Sequence, residues 1–439
     1  MERVASFPGR WDPLATFARL REAGLLGQYA YLHLGPDGGE IGWAPVARLS
    51  LLDGRASSGD WRARLRAFVD DAAAQGSKAF GYVGYDAVDR TEGVAPDGSA
   101  RGWPLVEFLV PGERVIFSAE RACHHSCSGL ALRPHLAAAA PSPAPAAPAA
   151  TPLAPADELS GAAFAGLVAE ATRALRAGAA QKVVLARYQA YAVDWDPVVL
   201  FAAYCEAHAY ADAFLLMFGD RTAVVASPEM LLTVMDGQLS TNPLAGTRPR
   251  GATPAEDARL RRELQADRKE LAEHVLSVTT MFAELEPLCV PDSLVVRRLL
   301  DVVLQPRVQH LSSVIAGKLA PDYHVLDALW ALFPSVTVTG LPKPAALALL
   351  RSIEPAPRGL YAGAIGWAAG PRSGRFSLAI RGIYRYGGRT VLQAGAGIMP
   401  ESQPDAERAE VAAKLRAMEE ALAHSRSGPG CPSVGIVSE

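Results

Sequence analysis

The sequence predicts an α+β protein built mainly on antiparallel strands, on three observations. Short strand-like runs in the N-terminal third are interrupted by a single helical stretch. Asp236-Gly237 and Gly387-Gly388 each sit between strand-like runs, where such dipeptides form tight hairpins. Two long segments with helical periodicity lie among these strands. In chain order, strands are expected over 29–34, 79–85, 106–110 and 115–117, with a helix over 61–74. A helix over 162–177 follows, then strands over 182–190, 214–218 and 222–226. The first hairpin joins 231–234 to 238–241, and one long helix is expected from about 256 to 285. The second hairpin joins 376–386 to 390–394. A last helix should run over 405–424, with Ser402 as N-cap and Pro404 near its first turn.

Half of the 439 residues are hydrophobic, enough for a large core. The net charge of −3 carries no basic excess, which argues against nucleic acid as a partner. No apolar run is long enough to span a bilayer. The N-terminus lacks the basic-then-apolar pattern of a signal peptide, so a soluble cytoplasmic protein is expected. Cys123-His-His-Ser-Cys127 is the one compact group of soft ligands, and no second ligand pair follows it. It reads as a polar strand end with free thiols. Residues 137–156 are almost entirely Ala, Pro and Ser, an extended spacer that divides the chain into two parts. The tail, 425–439, is rich in Gly, Pro and Ser and reads as disordered.

On the last helix, Val411, Leu415, Met418 and Leu422 form one apolar stripe, with Glu407, Glu410 and Lys414 on its edge. Glu270 and Glu273 repeat this spacing on the earlier helix, beside an inward side expected to hold Leu271, His274, Val275 and Val278. Such pairs suit a solvated, salt-bridged flank. They equally suit oxygen ligation of a hard cation. Glycines at 246, 395 and 397 follow strands and would let backbone N–H groups approach an anion, or simply make tight turns.

Together the motifs resemble the chorismate-utilising enzymes: isochorismate, salicylate and anthranilate (component I) synthases and aminodeoxychorismate synthase. The matching segments are Lys182-Val-Val-Leu-Ala-Arg187, Ser227-Pro-Glu229, Pro243-Leu-Ala-Gly-Thr-Arg-Pro-Arg-Gly251 and Lys269-Glu-Leu-Ala-Glu-His274. Phe333-Pro-Ser-Val-Thr-Val-Thr-Gly-Leu-Pro-Lys343, Pro357-Arg-Gly-Leu-Tyr-Ala-Gly363 and Ala394-Gly-Ala-Gly-Ile398 follow, then the terminal Glu407-x-x-Glu410-x-x-x-Lys414. The resemblance implies a single large unit of two stacked, mainly antiparallel sheets ringed by helices. The two-part reading then gives way. Residues 1–136 become the N-terminal part of the sheet framework, 137–156 an inserted spacer, and 157–424 the chorismate-binding catalytic region.

By the same resemblance, Lys182 is the general base that activates water at C2 of chorismate, and its strand setting suits the burial a base lysine needs. Glu229 is the general acid for the C4 hydroxyl, its carboxyl kept protonated by apolar neighbours such as Val224, Val225, Met230 and Leu231. Glu273 and Glu410 match direct magnesium ligands, with Glu270 and Glu407 in support. Tyr361 and Arg381 match the residues that hold the pyruvyl carboxylate. Gly246, Thr247, Gly395, Ala396 and Gly397 match a backbone cradle, Lys414 a cation near the carboxylates, and His310 a position near the ring.

Ammonia-using branches carry a neutral side chain where Lys182 stands, so the resemblance implies water as nucleophile. No glutaminase segment is visible, and no glutaminase subunit is expected of what should be a monomer. Ala245 replaces the lysine of aminodeoxychorismate synthases. The segment around Thr337 resembles the salicylate branch, so the expected product is salicylate, formed through isochorismate with loss of pyruvate. An isochorismate synthase that stops one step earlier is the alternative. An ammonia-using synthase and a chorismate-binding protein without turnover are more distant ones.

Overall fold

The computed structural model describes residues 3–51, 61–88, 102–138, 153–207, 210–304 and 308–425. Most of the spacer (139–152) and all but Ser425 of the tail lie outside them. The strands form one continuous hydrogen-bonded network, and its pairings are antiparallel.

Two long strands, Gly38–Leu51 and Val106–Phe117, pair along most of their length and feed two arms. One arm runs through Ala79–Val83, Ala364–Ala368, Gly374–Leu378, Met230–Met235 and Gln238–Thr241 to Val308–Lys318. The other runs through Tyr29–Gly35, Asp212–Phe218, Arg221–Ser227, Gly382–Tyr386 and Arg389–Ile398 to Lys182–Tyr191. The expected pair of stacked sheets is thus two faces of one folded sheet. Strands from both sides of the 139–152 segment interleave in each arm.

The period-2 alternation of the strands sorts the core into two layers. Tyr31, Phe214 and Phe218 of one arm face Phe80, Tyr82 and Phe376 of the other. Their neighbours Leu32, Leu215, Val224 and Leu392 point outward. There the helices Pro13–Glu22, Gly161–Arg176, Pro197–Ala207 and Pro404–His424 cover them. The last helix turns Val411, Leu415, Met418 and Leu422 inward, each at most 1% exposed. No helix among the described residues is long and apolar enough to cross a membrane.

Several local expectations need correction. The long helix is two, Pro254–Ala266 and Arg268–Leu285. Asp267 divides them: its carboxylate accepts the N–H groups of Lys269 and Glu270 and caps the second helix. Periodicity ran through this break because neither Gly nor Pro marks it. Val275 is 39% exposed rather than inward. The run 376–386 is two strands, because Arg381 adopts φ +53° between them and turns the chain from one arm to the other. The runs 106–110 and 115–117 are one strand. The N-cap position of the last helix is Gln403, whose side chain makes no capping hydrogen bond; Ser402 instead accepts a hydrogen bond from the Met399 N–H. The hairpin of Val295–Leu304 and Val308–Lys318 was not anticipated.

Candidate active site

The cleft opens where the Lys182–Tyr191 strand, the Arg389–Ile398 strand and the helices carrying the four glutamates converge. Lys182, Glu229, Gly246, Thr247, Glu270, Glu273, His310, Thr337, Tyr361, Arg381, Gly395, Gly397, Glu407, Glu410 and Lys414 all line it. Ala396 does not. Alternation along its strand sends Gln393, Gly395 and Gly397 to the cleft and buries the Ala396 side chain in the outer core. The glycines have steric reasons to be there. A Cβ on Gly395 would lie 2.7 Å from the Leu185 carbonyl oxygen, and one on Gly397 would lie 2.6 Å from Glu273 Oε1. Gly246 sits at φ +74° in a bulge of the Leu244–Pro249 strand, a conformation that favours glycine.

Lys182 is 1% exposed, and its Nζ lies 2.8 Å from Glu273 Oε1. Glu229 is also buried, and Thr337 Oγ1 donates to its Oε1 at 2.8 Å. Burial pushes the Glu229 carboxyl up to about 7, against the opposing pull of the Thr337 hydroxyl, the Leu244 N–H and the Lys182 charge. The carboxyl therefore keeps a substantial protonated fraction near neutral pH, as a general acid requires. His310 is driven down to about 4 by burial, with Arg381 adding to the effect. Its Nδ1 lies 3.0 Å from Thr247 Oγ1 and 3.2 Å from the Gly246 carbonyl. Its Nε2 is buried with no protein partner. Burial raises the Tyr361 phenol to about 12, so the hydroxyl remains a donor.

The four helix carboxylates are each paired with a cation. Arg248 Nη1 lies 3.4 Å from Glu270, Lys182 Nζ 2.8 Å from Glu273, Lys269 Nζ 3.0 Å from Glu407, and Lys414 Nζ 2.6 Å from Glu410. Lys414 Nζ also donates to the Gly395 carbonyl at 2.8 Å. Burial raises the Glu270 carboxyl, and neighbouring Glu273 raises it further. Burial would raise Glu273 as well, but the Lys182 ammonium outweighs it and holds that carboxyl low. Among the described residues no three acidic, histidine or cysteine side chains converge as a ready ligand cluster. The all-oxygen donor set still suits magnesium, provided the carboxylates trade cationic partners for the ion. Arg248, Lys269 and Gln393 were not singled out from the sequence. Arg248 and Lys269 stand within quoted motifs, but without their acidic partners in space nothing marked a role.

The other candidate, the Cys123–Cys127 stretch, is a strand end: buried His124 lies 2.8 Å from Glu113 Oε2, and Cys123 Sγ donates to Ser6 Oγ at 3.8 Å.

A buried carboxyl raised to about 7, a buried lysine and a flank of carboxylates share this one cleft. The chain belongs to the chorismate binding enzyme family, whose sequence profile matches residues 27–420. It is 32% identical over 345 residues to anthranilate synthase component 1 of Saccharolobus solfataricus, covering 78% of this chain and 80% of that protein. It is 36% identical over 251 residues to the salicylate synthase of Mycolicibacterium paratuberculosis, covering 56% of this chain and 55% of that one. The fold matches the menaquinone-specific isochorismate synthase of Escherichia coli with a TM-score of 0.74 at 22% identity, over 96% of this chain and 95% of that one. Other anthranilate synthase components match at 36–40% identity, some over about half of their length. The relatives thus do not single out the salicylate branch that the motifs resemble; they assign the family.

Proposed function

We propose that this enzyme hydrates chorismate at C2 with loss of the C4 hydroxyl, giving isochorismate, and then releases pyruvate to give salicylate. The observation that carries the reading is a buried lysine, Lys182, in the same cleft as Glu229, a carboxyl that titrates at about 7. As the neutral amine, Lys182 takes a proton from water as the water oxygen bonds to C2. The ring double bonds shift, and Glu229 gives its proton to the departing C4 hydroxyl, which leaves as water. Both groups are then reset by proton exchange with solvent. Tyr361 and Arg381 hold the pyruvyl carboxylate, and the cleft-facing glycines let the backbone approach the substrate closely.

Glu273 and Glu410 would hold magnesium, with Glu270 and Glu407 in support. When bound, the ion would supply positive charge to the ring carboxylate. The second step is an intramolecular transfer of the C2 hydrogen to the enolpyruvyl methylene as the ether C–O bond breaks. It requires a folded substrate conformation rather than new acid or base groups. Thr337 fixes the Glu229 carboxyl beside that ring space.

Incubation of the enzyme with chorismate and magnesium should produce salicylate, followed by its fluorescence, with isochorismate as a transient. Isochorismate alone would end the salicylate assignment, and no turnover would end the catalytic one. The names of several relatives favour a second reading, an anthranilate synthase component. That reading predicts anthranilate when ammonium salts are added, whereas Lys182 in the place of a neutral side chain argues for water. The enzyme is proposed to act as a monomer without a glutaminase subunit.

A further inference from the structure

The Lys182–Tyr191 strand has an unusual edge. On one side it pairs with Arg389–Ile398 along nearly its whole length. Its other edge is covered only in part, by the two-residue strand Gly340–Leu341 next to Lys182 and by Asp157–Glu158 near its far end. The Gly340–Leu341 chain makes one further bond to this edge, from the Val184 N–H to the Thr339 carbonyl at 2.9 Å, and two residues earlier Thr337 faces Glu229. The backbone groups left on this edge lie inside the protein and need partners.

Two side chains supply them. Arg358 Nη2 donates to the Val184 carbonyl at 2.5 Å, and Glu354 accepts the Ala186 N–H at 2.9 Å. Arg358 and Glu354 are joined by a two-pronged ion pair, Nε to Oε2 at 2.9 Å and Nη2 to Oε1 at 2.7 Å. Arg358 Nη1 reaches the Val338 carbonyl, next to Thr337, at 2.7 Å. The guanidinium lies 4.3 Å over the Tyr85 ring. Its own backbone is tied down as well, since the Asp86 carboxylate accepts the N–H groups of Arg358 and Gly359 at 3.2 and 2.7 Å. Three residues on, the same segment presents Tyr361 to the cleft. Arg358 is 3% exposed and is not among the cleft-lining residues.

We propose that Arg358, held by Glu354, is a positioning residue that replaces the missing strand and fixes the Lys182 strand, the Thr337 segment and the Tyr361 turn in one catalytic geometry. The planar fork is essential, because it meets two carbonyls and a carboxylate at once. A lysine has the charge but not this geometry. The inference rests on the base and acid assigned above.

The test uses the full-length enzyme with chorismate and magnesium. Arg358→Gln/Glu354→Gln removes both buried charges together, so neither is left unpaired and the fold is spared the main penalty. The expected result is an unfolding midpoint near that of the unaltered enzyme, a chorismate KM little changed, and a kcat lowered about a hundredfold by misplacement of the reacting groups. Arg358→Lys, which keeps the charge, should also lose at least about tenfold in kcat. A near-normal kcat in the folded double variant would reduce the pair to charge balance and overturn the proposal, as would full rescue by Arg358→Lys, the deciding variant if the double variant does not fold. If the unaltered enzyme makes anthranilate from ammonia instead, the proposed reaction fails, and the same kcat comparison on that product still decides the role of Arg358.

Discussion

Replacing Glu229 by glutamine should abolish turnover and yet stabilise the protein, by an amount that depends on pH. The buried Glu229 carboxyl titrates at about 7, against 4.5 for an ordinary glutamate. Between those values the folded state holds a proton that the unfolded chain has released, so stability falls as pH rises through this window. Above it the full penalty is present. A gap of that size corresponds to about 3 kcal/mol at pH 8 and to less than about 1 kcal/mol at pH 5, at roughly 1.4 kcal/mol per pH unit. Glutamine has the same shape, can accept the Thr337 hydrogen bond and never ionises, so it escapes the penalty. Denaturant unfolding of both proteins at pH 5 and pH 8 measures the difference directly. Glu229→Gln should be more stable at pH 8 and nearly equal to the unaltered enzyme at pH 5, while its kcat falls by several orders of magnitude. In the unaltered enzyme kcat/KM should decline above about pH 7 as the acid form is lost. Parallel stability curves for the two proteins across pH 5–8 would refute the raised carboxyl and, with it, the assignment of the acid.

Three other variants probe the rest of the cleft. Lys182→Ala should abolish turnover and leave the circular dichroism spectrum native; near-normal activity would remove Lys182 as the base. Lys269→Met takes a positive charge from beside Glu407, so magnesium binding to the substrate-free protein, measured by calorimetry, should tighten about tenfold. Unchanged or weaker binding would mean that Lys269 serves to orient Glu407 rather than to compete with the ion. Gly397→Ala places a methyl group against Glu273 Oε1 and should raise the magnesium concentration needed for half-maximal activity without unfolding the protein. An unchanged requirement would argue against Glu273 as a ligand.

What could be read from the sequence follows the range of the interactions involved. Strands such as Gln238–Thr241 and helices such as Trp61–Ala74 have the expected ends, because alternation, periodicity and turn dipeptides are local signals. The break at Asp267 was also local, an Asp three residues before Glu270, but unbroken apolar periodicity concealed it. Arg381 could not be read as a turn, since little in its neighbours demands a positive φ; the change of sheet arm imposes it. Among the site residues, those within motifs were legible as a set. Their partners were not, because Lys269 meets Glu407 across 138 positions of sequence and Thr337 meets Glu229 across 108. Ala396 shows the converse: its place in a glycine motif suggested the cleft, while strand alternation turns its side chain to the core.

The charge balance of the cleft connects these observations to the choice of nucleophile. Each of Glu270, Glu273, Glu407 and Glu410 has its own cation, and Glu229 is largely neutral below about pH 7. Arg381 lines the same cleft, where its charge adds to those that hold the Glu410 carboxyl low. It is the group proposed to meet the pyruvyl carboxylate of the substrate. A divalent ion among the four glutamates would add a second positive charge centre to the cleft. On the proposed reading, a small molecule with two carboxylates would meet both centres, with Lys182 and Glu229 acting on its ring. A neutral side chain at position 182 would leave Glu273 without its partner and change this balance at the base. In its charged form the lysine is thus part of the electrostatic frame that holds the glutamates, and only as the neutral amine is it the proposed base for water. The 2.8 Å contact between Lys182 and Glu273 is therefore the feature of this cleft on which the proposed choice of water rests.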